Sequence, residues 1–110
     1  MAISEKCYEL AISLFTTWVF IDSARRYSFV EKKDSALMAI VNARAAAYDS
    51  EKEGALTEGE REALNTDLME ISHRIGKKDF TYAEEKLDDL SGQLFMLSLQ
   101  KVVACECPRR

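Results

Sequence analysis

The 110-residue chain has little of what interrupts helices: one proline, Pro108, and four glycines. All-β folds need such residues at every turn, so helices are favoured over a sandwich or barrel. A long apolar run is also missing. The longest uncharged stretch, residues 10–21, lies between Glu9 and Asp22 and covers twelve positions, whereas a bilayer-crossing helix needs about 20. Nor is there a basic excess. Fifteen Lys and Arg stand against 19 Asp and Glu, and the formal charge of −4 argues against a general binder of nucleic acid or acidic membrane. Only three cysteines occur, and the first residues carry Glu5 and Glu9 against Lys6, unlike the basic start of a secretory signal. Reduced thiols in a cytoplasmic setting are therefore expected.

What is present points to helices. Alanine, leucine and glutamate, all strong helix formers, occur 13, 11 and 12 times against five valines. The length suits one domain, expected over residues 1–104, with a flexible C-terminal tail over 105–110 that Pro108 keeps from continuing a helix.

Four helices follow from apolar periodicity. Ile3, Cys7, Leu10, Leu14, Trp18 and Ile21 recur at steps of three and four, which predicts a first helix over about 4–26. Ser28 and Glu31 have the form of a capping box, so a break is expected at 27–29, with Asp34 as an alternative cap. A second helix then runs to about 50, with Val30, Leu37, Val41, Ala45 and Tyr48 on its apolar stripe. The small residues of 43–47 would let a neighbouring helix approach closely. After a polar connector, Thr57 and Glu60 form a second capping box. The third helix, about 58–75, places Leu64, Leu68, Ile71 and Ile75 on one face, and Gly76 is the expected left-handed stop. Thr81 with Glu84 suggests a third capping box, opening a fourth helix in which Leu87, Leu90, Leu94 and Leu97 form a seam.

Short links make an all-α, antiparallel, up-down-up-down four-helix bundle the expected fold. The second halves of the first and fourth helices are apolar nearly all round, which exceeds what one such core buries. A self-associating bundle follows, or one that binds another protein: a small non-catalytic module acting as an adaptor, regulator or inhibitor. No cofactor is expected. The contact residues expected are Phe15, Trp18, Phe20, Phe95 and Met96, because exposed aromatic and thioether side chains carry most interface energy once desolvated.

Two alternatives rest on charged groups. Asp67 and Glu70 on helix three, and Glu85 and Asp88 on helix four, are each three apart and could together face a Mg²⁺ ion. The stretch Asp67-Leu-Met-Glu70-Ile, followed by Glu85-Lys-Leu-Asp88, resembles the paired acidic motifs of the all-α nucleoside triphosphate pyrophosphohydrolases. That resemblance covers about a fifth of the chain and implies a helical oligomer that cleaves nucleotides with Mg²⁺. Asp67 stands where that family usually has Glu, and Asp89 where an apolar residue is usual. The second alternative is a weak nucleic-acid-binding regulator. Arg25-Arg26, Lys32-Lys33 and Lys77-Lys78 would gather at one end of the bundle, where they could contact phosphate. The topology also brings Cys7 towards Cys105 and Cys107, whereas the single histidine, His73, falls near the far end, so a zinc set is not evident.

Overall fold

In the computed structural model, which describes residues 5–106, four helices account for nearly every residue: α1 (Glu5–Phe29), α2 (Lys33–Lys52), α3 (Glu58–Gly76) and α4 (Phe80–Glu106). They form an antiparallel bundle in which each helix packs on the next and α4 returns to α1. α1 is the central member, with its most extensive packing against α2 and α4. The bundle is elongated, 50 × 23 × 17 Å.

The core lies where the large aliphatic residues of α1, α3 and α4 meet a face of alanines on α2. Leu14 and Ile21 of α1, Leu68, Ile71 and Ile75 of α3, and Leu87 of α4 are all but inaccessible. The α3 stripe is the one its sequence spacing gives. α2 differs: Ala36, Ala39, Ile40, Ala43, Ala46 and Ala47 are buried with Leu37 packed partly against the core, whereas Val41, Ala45 and Tyr48 are exposed and Val30 lies in the link before the helix. Small side chains win the inward face because they allow α1 to approach closely, and that closeness excludes the larger ones. At the same contact Ser50 and Thr17 are buried and bond each other at 3.1 Å, and Ser50 also pairs with Ser13 at 2.9 Å. Their hydroxyls are thus satisfied away from water.

Backbone chemistry sets the helix ends. The capping box of Thr57 and Glu60 is present, each side chain taking the other residue's backbone N–H, at 3.1 and 2.9 Å. The other two expected boxes are absent. Ser28 donates to the Ala24 carbonyl within α1, which therefore continues past the expected break to Phe29. Thr81 lies inside α4, and Asp79 caps that helix by accepting from the Tyr82 N–H at 3.3 Å. Neither Ser28 nor Asp34 caps α2, whose N-cap is Lys32, with no side-chain bond.

All three links close as Schellman turns, in which the second residue past the helix cap bonds back five positions: Lys32 to Tyr27, Ala55 to Ser50 and Asp79 to Arg74. The left-handed residue in each is Glu31 (φ 58°), Gly54 (φ 81°) and Lys78 (φ 64°). Gly76 is thus the last helical residue and not the stop, which falls two positions later. At the C-terminus α4 runs through Glu106, so the first two residues of the expected tail are helical, and positions 107–110 lie outside the described residues.

Candidate functional site

The uncharged stretch of α1, residues 10–21, has a counterpart in α4, where no ionisable residue falls between Asp89 and Lys101. A disulfide between Cys7 and Cys105, with Cα atoms 5.9 Å apart, fixes the register of the two antiparallel helices. Residues whose numbers sum to about 112 are level, so the two charge-free segments lie side by side. The electrostatic influence of Asp88 and Glu84 on Arg25 agrees with that register at the other end.

Away from the core, α1 and α4 each present an exposed apolar stripe along and just beyond these segments. Tyr8, Ile12, Phe15 and Val19 recur along α1 at the spacing of a single stripe, and all are exposed, Phe15 by 61%. On α4, Phe95, Met96, Leu99 and Val103 do the same, Phe95 by 52%. On its flank towards α3 this stripe meets charge, since Gly92 and Met96 line an open cleft with Glu60 of α3, Asp88 and Asp89. Trp18 is half-buried against the core and supports Phe15 from beneath, their rings stacked with centroids 5.9 Å apart.

Of the five residues expected at an interface, Phe15, Phe95 and Met96 lie on these stripes and Trp18 stacks on Phe15. Phe20 does not. It turns to the other flank of α1, packs partly on the core and lines the open groove against Asn42 and Ala46 of α2. A second exposed apolar stripe runs along α2 through Met38, Val41 and Tyr48, of which Val41 and Tyr48 are expected from their spacing in the core. The Tyr48 ring is partly covered by the Arg61 guanidinium at 4.8 Å.

Charges border the apolar face at its ends. Asp22 accepts from Arg25 and Arg26, each at 2.8 Å. Burial pushes its carboxyl up, but the two guanidinium hydrogen bonds together outweigh that and hold it below the usual carboxylate range. Near the other end Lys101 donates to Glu60 at 2.5 Å. Burial again opposes and is again outweighed, so Glu60 too lies below its ordinary value.

The carboxylate pairs do not converge. Glu70 accepts from the Tyr82 hydroxyl at 2.8 Å, a bond that pushes the Tyr82 phenol up. Asp67 lines a crevice with Leu64 and Leu90, Asp88 bears on Arg25 of α1, and Glu85 is exposed. Among the described residues no group of three or more His, Cys, Asp or Glu side chains is placed to hold a metal ion. The arrangement implied by the likeness to the pyrophosphohydrolases is therefore not assembled within one chain.

The basic pairs gather only in part. Lys32, Lys33 and Lys78 surround one cleft at the end of the bundle, but Glu31 and Asp34 share it. Arg25 and Arg26 are engaged by Asp22. His73 is exposed on α3. Cys7 and Cys105, expected as reduced thiols, are instead joined, and Cys107 lies outside the described residues. Among the described residues no helix is long and apolar enough to cross a membrane.

Comparison of the chain with known protein families, with curated proteins and with solved structures finds no match.

Proposed function

We propose that this protein is a non-catalytic helical binding module, an adaptor, regulator or inhibitor, that engages a protein through the outer face of α1 and α4. One observation carries the reading: large apolar side chains, Phe15 and Phe95 foremost, stand exposed in a row along each of α1 and α4, where apolar residues scattered singly are the norm on a monomer. Aromatic enrichment and depletion of charge are the marks of an interface core. The disulfide adds rigidity, because it fastens together the two helices that build the face. It also supports a compartment in which disulfides persist over the cytoplasmic setting expected from the sequence.

The test is a photo-crosslinking amino acid at position 15, compared with the same group at Glu62, an exposed position on α3, in extract from the source cell. Discrete adducts from position 15 and none from position 62 are expected. Equal adducts at both positions, or none at either, would contradict the reading.

A further inference from the structure

α3 and α4 are the neighbours that pack least extensively on each other, and two open clefts run between them. The clefts share Glu60, Gln93 and Leu97 and so form one groove. Glu60, Ala63 and Asp67 stand at intervals of three and four along its α3 side, and Asp89, Gln93 and Met96 along its α4 side. On α4 the lining extends from Asp88 to Gln100, about 18 Å of helix. The floor is apolar, with Leu64, Leu90 and Leu94 buried beneath it and Leu97 half-buried. The charge on its walls has one sign. Glu60, Asp67, Asp88 and Asp89 line the groove, and among the described residues no Lys, Arg or His does. Glu60 is paired with Lys101 and Asp88 bears on Arg25, whereas among the described residues no cation is paired with Asp67 or Asp89. The carboxylates are spread along the groove and do not converge on a point where an ion could sit.

We infer that the α3/α4 groove receives a basic amphipathic helix of another protein, its apolar side on Met96 and Leu97 and its Lys or Arg side chains towards Asp67 and Asp89. Three features select this occupant. The narrower cleft, about 180 Å³, is smaller than small-molecule sites but suits one anchoring side chain. The described residues contain no strand, so an extended peptide has no sheet edge to join, and a groove between two helices takes a helix of about three turns. The acidic walls repel nucleic acid and attract a basic segment, and the net charge of −4 disfavours a second copy. The groove adjoins the α4 stripe at Met96 but includes no residue of α1, so it is a second contact surface beyond the one proposed above.

The experiment titrates the oxidised chain into a labelled synthetic peptide of about 14 residues, Leu, Ala and Lys patterned as an amphipathic helix, and into a twin with Glu for every Lys. The Lys peptide is expected to bind, more weakly as salt is raised, and the Glu peptide not to bind. Asp67→Asn/Asp89→Asn is expected to weaken the Lys peptide by about ten-fold, the sum of two exposed ion pairs. Ala63→Leu/Gly92→Leu fills the groove from both walls and is expected to weaken it at least as much, while melting no lower than wild type because both positions are open. Phe15→Asp, on α1, is expected to leave the affinity unchanged. Equal binding of the two peptides overturns the inference, as does no binding of the Lys peptide up to about 1 mM. Binding that neither double substitution weakens, or that Phe15→Asp abolishes, also overturns it. Crosslinking from position 15 reads the other surface, so either proposal can fail while the other stands.

Discussion

Cys7 in the first turn of α1 and Cys105 in the last turn of α4 are joined across 98 positions of sequence. The bond closes almost the whole chain into one loop and holds in register the two helices that carry the exposed apolar face.

A loop of roughly 100 residues implies, by the chain-entropy argument, a stabilisation of about 4 to 5 kcal/mol. The double variant Cys7→Ser/Cys105→Ser is expected to keep its helical content in water and to lose about that much in urea unfolding. An unchanged urea midpoint would show that the unfolded chain is not constrained by this bond.

The helix stops give a prediction of opposite sign to the one read from the sequence. Lys78 occupies the left-handed position after α3, at a cost of about 1 to 2 kcal/mol for a residue bearing a Cβ. Lys78→Gly should therefore raise stability by about 1 kcal/mol. Gly76→Ala should raise it slightly or leave it unchanged, because Gly76 is helical and has open space around it. Destabilisation by Gly76→Ala of about 1 kcal/mol or more would return the stop to Gly76.

On α2 the roles of large and small residues are the reverse of the usual expectation. Ala43→Leu and Ala47→Leu are expected to cost about 1 to 3 kcal/mol, since both positions are fully buried against α1. Val41→Ala, on the exposed face, should change stability by less than about 0.5 kcal/mol. Thermal melts of the three variants decide it, and the opposite ranking would place Val41 inside.

Acid should weaken the fold through Asp22 and Glu60. Both carboxyls titrate lower in the folded chain than their ordinary values, so the stability they contribute is complete above the unfolded range, about pH 4. It is lost as pH falls through the lower folded values. Asp22→Asn should therefore be destabilising at pH 7 and should flatten the fall in urea midpoint between about pH 5 and pH 2. An acid limb as steep as that of wild type would remove Asp22 from this account.

Much of the fold can be read in the sequence where large apolar residues alternate with charged ones. Leu64, Leu68, Ile71 and Ile75 define the buried side of α3 without ambiguity, and Leu87, Leu90 and Leu94 do the same for α4. α2 is harder because the alanine pattern carries a weak hydropathy signal, so Val41 and Tyr48 drew the core to the wrong face. Capping boxes are local patterns. Thr57 and Glu60 act as one, but the Ser28 hydroxyl finds the Ala24 carbonyl instead, and Asp79 takes the capping role expected of Thr81. The surplus of apolar surface on α1 and α4 is legible, and with it Phe15, Phe95 and Met96. The pairing of Cys7 with Cys105 depends on how the helices stack, and no spacing within one helix reveals it.

The central claim is that the exposed apolar stripes of α1 and α4 are a protein-contact surface. Its most direct test is the photo-crosslinking group at position 15 against the same group at Glu62. The account predicts discrete adducts from position 15 and none from position 62. Equal adducts at both positions, or none at either, would contradict it.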